Sequence, residues 1–266
     1  VGLILYVLAQ EGAMEGLRHY LVPDFSQITN PNLIVSAMGQ AFFSMSLGVG
    51  TMLVYGSYIR ADENLPVVGA LVTLTDTSVA FLAGLLVLPA IFVAQNLGVT
   101  IYAESGALIA GPDLIFQVLP ALFEGMGATG LLVGFAFFVL MSIAAATSSI
   151  SMLEVPVSYA VETHQIDRNK ATWLVGLVLF GISALICFNF EWLFGFVISM
   201  TTERAQPLLS MVVCIFAGWV FHRNSILAEL KSGCPDVEQG LFWKIWPIYV
   251  KCFCPALILL TFAQEF

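Results

Sequence analysis

Ala144, Thr147, Ser148, Ser151, Glu154, Ser158 and Glu162 stand at steps of three, one, three, three, four and four residues. These spacings put all seven on one face of a helix whose opposite face is apolar. A stripe with two carboxylates cannot face lipid, so it faces a bundle interior or water. The hydroxyl and carbonyl oxygens at its outer end are hard ligands, the kind that suit a small alkali cation. Thr147 and Ser148 can alternatively bond the carbonyls of their own helix. Asp76, flanked by Thr73, Thr75, Thr77 and Ser78 in an apolar run, is the other conspicuous acid. It is either part of an ion pathway or a hydrogen-bonded structural residue. Glu203 and Arg204 are a further odd pair in an apolar stretch, read as an ion pair or as the mark of a local break.

A third feature involves backbone chemistry. Residues 33–58 are apolar except for a centre that carries Ser44, Ser46, Gly48 and Gly50. Each glycine weakens a helix by about 1 kcal/mol relative to alanine. The serines offer hydroxyls to freed carbonyls. Unwound backbone at membrane depth is tolerated where it lines a cavity or is buried in protein. Discontinuous helices of this kind form substrate and ion sites in secondary transporters. The alternative reading is a small-residue face for close helix packing.

The elements that must position these groups are membrane spans. Of the 266 residues 59% are hydrophobic and 10% charged, where a soluble domain carries about 25% charged residues. The excess runs the whole length, so the class is a polytopic all-α membrane protein. Candidate spans lie at roughly 33–58, 66–95, 128–162, 171–190, 192–221 and 241–263, with residues 1–8 as the tail of an earlier one. Connectors fall at 9–32, 59–65, 96–127, 163–170 and 222–240. One alternating set of connectors holds Arg60, Arg168, Lys170, Arg223 and Lys231, with Lys244 close by; the other holds only Arg18. The positive-inside rule makes the first set cytoplasmic. The outer connector 96–127, with Gly106, Gly111-Pro112-Asp113 and Pro120, reads either as a structured loop with short helices, a lid, or as a passive link. The chain reads as one incomplete transmembrane transporter domain over 1–266, a piece of a longer protein.

Other classes are excluded or weakened. The net charge is −9, but in such a chain its sign matters less than the placement of Lys and Arg; without a basic patch, nucleic acid is not expected as a partner. Cys187, Cys214, Cys234, Cys252 and Cys254 show no metal-ligand spacing and read as small apolar side chains. Neither a His-Glu-x-x-His zinc motif nor a Gly-x-Ser-x-Gly elbow is present, so an intramembrane enzyme is disfavoured.

Several blocks resemble the neurotransmitter:sodium symporter family. They are Gly12-Ala-Met-Glu-Gly-Leu, Pro23-Asp-Phe, Gln40-Ala-Phe-Phe-Ser-Met-Ser-Leu-Gly-Val-Gly, Tyr55-Gly-Ser-Tyr and Ala144-Ala-Ala-Thr-Ser-Ser-Ile, with Phe216-Ala-Gly-Trp-Val as a weaker match. The similarity runs from the end of the family's fifth helix to about its eleventh. It implies part of a LeuT-type bundle built from inverted repeats, in the plasma membrane, or inner membrane of a bacterium. It implies sodium-coupled symport of an amino acid or related small amine. The resemblance assigns a first sodium site to Ser44 and Asp76, where the family commonly has Asn at the latter. It assigns a second to the Ala144 carbonyl and the hydroxyls of Thr147 and Ser148. It floors the substrate pocket with Phe43, Ser46, Val49, Ser148 and Met152, and makes a cytoplasmic gate of Tyr58 and Glu162. Tyr55 matches a tyrosine that hydrogen-bonds near the first ion. The family's first helix, which completes both ion sites, has no counterpart here. An outer-gate acid of the tenth helix is replaced by Ile198. The Asp76 charge leads us to expect chloride to be unnecessary. A non-transporting sensor or structural relative with the same fold is the alternative.

Overall fold

The computed structural model describes residues 2–23, 25–28, 30–102, 108, 111 and 114–264. Much of the outer connector, including Gly106, Pro112 and Asp113, and Asp24 of the Pro23 block lie outside the described residues. The described elements are helices in the order α1 (Gly2–Leu8), α2 (Ala13–Leu21), α3 (Pro31–Ser44), α4 (Thr51–Tyr58), α5 (Leu65–Asn96), α6 (Leu119–Gly125), α7 (Ala128–His164), α8 (Arg168–Phe188), α9 (Phe190–Ile198), α10 (Gln206–Ile215), α11 (Arg223–Gly233), α12 (Leu241–Ile248) and α13 (Cys254–Gln264). Among the described residues four stretches are long and apolar enough to cross a bilayer: Leu65–Asn96, Ala128–His164, Arg168–Phe188 and Leu241–Leu260. Trp192–Val220 and Arg223–Gly233, bent by 100° to one another, make a fifth when taken together. The apolar run 33–58 is instead two short helices of 14 and 8 residues around a break, and neither reaches the roughly 20 residues a span requires. The stripe-bearing α7 has 37 residues, about 55 Å at 1.5 Å per residue, longer than the hydrocarbon core.

At four places among the described residues the α-helical ladder widens into π turns. They occupy Leu114–Val118, Ser199–Ala205, Phe216–Val220 and Tyr249–Phe253. The Glu203-Arg204 pair falls in the second of these, so it marks a local break in the ladder.

The chain divides into two compact units made of interleaved segments. One comprises 1–26 and 74–147, the other 27–73 and 148–266. The first has a core of Val7, Ala13, Ala90–Ala94, Ile101, Val118, Leu119, Leu122 and Phe123. The second buries Leu230, Val237 and Trp243 where α11 meets the start of α12, and it carries the helix break. Elsewhere the long helices present apolar side chains outward, among them Trp173, Phe180, Leu131 and Phe135, all more than 70% exposed. In a bilayer such a surface faces lipid; in water it would drive aggregation.

Candidate functional site

The break is built from residues in left-handed backbone conformation. Ser46 has φ 52°, Gly48 has φ 79° and Gly50 has φ 85°. A non-glycine in this region is uncommon and turns up where the surroundings hold it there. The last turn of α3 unwinds as Leu47 N–H donates to the Phe42 carbonyl at 2.9 Å. The same carbonyl accepts from Gln206 Nε2 of α10, also at 2.9 Å. Gln206 is 98% buried, so a freed carbonyl at membrane depth is capped by a side chain from another helix. A Cβ built on Gly48 would lie 2.2 Å from the Gln206 carbonyl oxygen and 2.5 Å from Ser210 Oγ. Backbone approaches side chain and backbone there so closely that only glycine fits. The α4 helix then starts at Thr51, with Gly50 at its N-cap and no side chain capping its free N–H groups.

Beside the break lies a cavity of about 630 Å³ lined by Phe42, Met45, Ser46, Val49, Ser210 and Ile258, among others. Its walls are mostly apolar. Two of the substrate residues expected from the resemblance, Ser46 and Val49, line it; Phe43, Ser148 and Met152 do not. Ser210 Oγ and Thr51 Oγ1 are buried without a hydrogen-bond partner among the described residues.

The outer end of the stripe brings two expected ion ligands together. Thr147 Oγ1 lies 2.9 Å from the Ala144 carbonyl oxygen, to which it donates. The two oxygens therefore point to one spot, through the bond that a helix makes for itself. Ser44 ends α3 at the break in one compact unit, while Asp76 lies in α5 in the other. Two of the hydroxyls around Asp76 bond their own helix: Thr73 Oγ1 to the Gly69 carbonyl and Ser78 Oγ to the Leu74 carbonyl.

At the inner end the structure gathers a different set of partners from the one expected. Tyr58 was expected against Glu162. Its hydroxyl instead donates to Glu154 Oε1 at 2.6 Å and sits 3.0 Å from Ser158 Oγ. Ser158 Oγ donates to the same carboxylate oxygen at 3.0 Å. Arg168 Nη2 reaches both oxygens of Glu154, at 2.8 and 2.7 Å. The reason is packing register. The start of α4 rests on α7 at Val155, 3.0 Å from a Cβ placed on Gly50. Tyr55 of α4 donates to Ser151 Oγ and Tyr58 meets the next turn, at Glu154. Glu162 is eight residues further on, about 12 Å along the axis. It is exposed, and its backbone carbonyl accepts from Gln165 Nε2 at 2.8 Å.

Glu154 was visible in the sequence as a member of the stripe. Arg168 was visible only as a loop cation that sets orientation. Gln206 gave no signal beyond being one amide at the head of an apolar helix, next to Pro207.

The comparisons extend over the whole chain. The model of the sodium:neurotransmitter symporter family matches residues 1–266. An uncharacterized sodium-dependent transporter of Haemophilus influenzae is 33% identical over 276 residues, covering 100% of this chain and 57% of that protein. The sodium-dependent transporter YhdH of Bacillus subtilis is 31% identical, covering 98% of this chain and 57% of that protein. The solved structure of MhsT in complex with L-phenylalanine matches with a TM-score of 0.83 and 34% identity, over 100% of this chain and 59% of that one. The chain thus spans less than two thirds of the length of these relatives.

Proposed function

This chain belongs to the sodium:neurotransmitter symporter family, and from that premise we propose that the protein couples sodium entry to uptake of an amino acid by alternating access. It is a multi-pass integral membrane protein with that family's helical fold, and its relatives are transporters rather than enzymes. The observation that carries the proposal is the break at 45–50, where three left-handed residues open a helix beside an apolar cavity. Such a break leaves carbonyls and helix-end N–H groups at membrane depth, where they can hold the charged ends of an amino acid and a desolvated cation. The apolar walls of the cavity favour an apolar side chain on the substrate, and MhsT is solved with L-phenylalanine. The test is sodium-dependent uptake of labelled apolar amino acids by the full-length protein in vesicles. Absence of sodium stimulation for every amino acid tried would favour the second reading, a sensor or structural relative, for which Ile198 at the outer-gate position speaks.

Sodium is cargo here, and its sites are assigned through the family. We assign the first to Ser44 and Asp76, and the second to the Ala144 carbonyl with the Thr147 and Ser148 hydroxyls. An all-oxygen donor set suits an alkali ion. Thr147→Val with Ser148→Ala should raise the sodium concentration for half-maximal uptake several-fold while the protein still folds. An unchanged sodium dependence would mean that these hydroxyls serve only their own helix.

Asp76 gives the first site a fixed negative charge. A carboxylate beside an ion in a low-dielectric site interacts far more strongly than in water. It therefore makes a soluble counter-anion unnecessary, and uptake should proceed at full rate when gluconate replaces chloride. Asp76→Asn should lower sodium affinity and make uptake respond to added chloride. Loss of activity of the unmutated protein in gluconate would remove Asp76 from this role.

A further inference from the structure

A second cavity, about 280 Å³, lies where the inner end of one span, α10 continuing through its π turn toward α11, faces the middle of the next, the chain between α12 and α13. Arg223 and Lys251 both line it, together with Gly218, Phe221 and Trp246. Each of the two cations rests on an indole. Lys251 Nζ is 4.3 Å from the ring centre of Trp219, and the Arg223 guanidinium carbon is 5.2 Å from that of Trp243. Neither belongs to any of the ion pairs among the described residues, which join Arg60 to Asp62, Arg168 to Glu154 and Lys231 to Glu238. In a chain with 18 acids and 9 basic residues, two neighbouring cations that pair with no carboxylate among the described residues are a local excess of positive charge.

The level of this cavity in the bilayer follows from the packing. A Cβ on Gly218 would lie 2.9 Å from Lys251 Cα, and Trp219 Nε1 donates to the Lys251 carbonyl at 3.1 Å. Lys251 is thereby fixed beside the last turn before the chain leaves the helix at Phe221. Trp219 lies under Lys251, Trp243 under Arg223, and Trp246 lines the cavity beside Trp243, tryptophans of the kind that gather at the membrane–water boundary. The positive-inside reading puts Arg223 and its connector on the cytoplasmic side. Trp219, Val220 and Ile248 beside the cavity are all more than 60% exposed, an apolar surface that continues from the cations into the hydrocarbon. A free anion has no use for that surface; an acyl chain does.

We propose that Arg223 and Lys251, steadied by Trp243 and Trp219, form a site for the phosphodiester headgroup of an anionic phospholipid in the cytoplasmic leaflet. Guanidinium and ammonium supply charge-assisted hydrogen bonds to phosphate oxygens. The cavity holds the headgroup and the exposed helix flanks carry the chains, as in other basic pockets between membrane helices.

The test is retention of lipid by the full-length protein purified in detergent, offered phosphatidylglycerol and phosphatidylcholine in equal amounts and read by native mass spectrometry. Phosphatidylglycerol should be retained preferentially. Lys251→Gln and Arg223→Gln should each lower that retention about fivefold, the factor one basic residue contributes near an anionic leaflet. Lys251→Arg should preserve it, and this variant keeps the test valid if a glutamine variant fails to fold. Lys244→Gln removes a nearby cation that does not line the cavity, and it should change nothing. Equal retention of the two lipids, or an equal loss in Lys244→Gln, would mean no built site and would overturn the proposal. Displacement of phosphatidylglycerol by millimolar inorganic phosphate would assign the site to a free anion and overturn it as well.

Discussion

Gly48→Ala should abolish sodium-dependent uptake and lower the melting temperature of the protein. Two independent effects add. The backbone of Gly48 has φ 79°, a region that costs a residue with a Cβ about 1–2 kcal/mol. The new methyl would also stand 2.2 Å from the Gln206 carbonyl oxygen and 2.5 Å from Ser210 Oγ, well inside contact distance. No flexible side-chain end lies on the backbone side of that clash, so either the break or α10 must shift. A shift of α10 pulls Gln206 Nε2 off the Phe42 carbonyl, leaving the buried Gln206 amide without its acceptor, which costs roughly 1–3 kcal/mol more. Gly50→Ala is the natural comparison. Its φ is 85°, but its Cβ would meet the Val155 side chain, Cγ1 at 3.0 Å and Cγ2 at 4.0 Å, and a valine side chain can give. Gly50→Ala should therefore keep measurable uptake. Wild-type uptake by Gly48→Ala would show that the close approach to α10 is not maintained during transport.

The second large effect is expected at the inner end. Glu154→Ala should drive the protein toward states open to the cytoplasm. The Glu154 side chain is 17% exposed and accepts from Tyr58, Ser158 and Arg168. It ties α4 and the start of α8 to α7 through one carboxylate. Hydrogen bonds to charged groups are worth about 1.5–3 kcal/mol each, and the share that Arg168 holds, 60% exposed, is diminished by solvent. Loss of the Tyr58 bond alone then shifts the balance of closed and open forms tenfold or more, by the usual conversion of about 1.4 kcal/mol per decade. A cysteine placed at Ser46, in a background with the five native cysteines replaced, reports the change. Its labelling from the cytoplasmic side should rise in Glu154→Ala and rise less in Glu162→Ala. Equal labelling in both variants would return the gate to Glu162.

How much of this was legible beforehand depends on which physical signal each residue carries. The spans were legible because twenty apolar residues in a row have one stable use. The break at Ser44–Gly50 was legible because serines and glycines interrupt an otherwise uniform run. The stripe was legible because helical periodicity sorts it onto one face. The partners were not. Tyr58 pairs with Glu154 rather than Glu162 because the contact of Gly50 with Val155 sets how far α4 has slid along α7, and sliding leaves no trace in the pattern of either helix alone. Gln206 was missed for a similar reason: its importance comes from Phe42, 164 positions earlier. The two interleaved compact units were not legible either, because two of their boundaries, at 73/74 and 147/148, fall inside long helices where no linker composition marks them.

The π turns on either side of α10 bear on how this machine can move. Ser199–Ala205 precedes that helix and Phe216–Val220 follows it. Each holds slack in the form of a wider hydrogen-bonded loop than the α ladder needs. A segment with slack at both ends can slip by one residue, a turn of about 100° around its own axis, by passing the wide loop along the chain rather than by breaking the helix. α10 would thus act as a bearing between two springs, locked in this structure by the Gln206 bond to the hinge of α3 and α4. Amide exchange should accordingly be faster in 199–205 and 216–220 than in 206–215, with the rotor itself remaining protected while its mounts breathe.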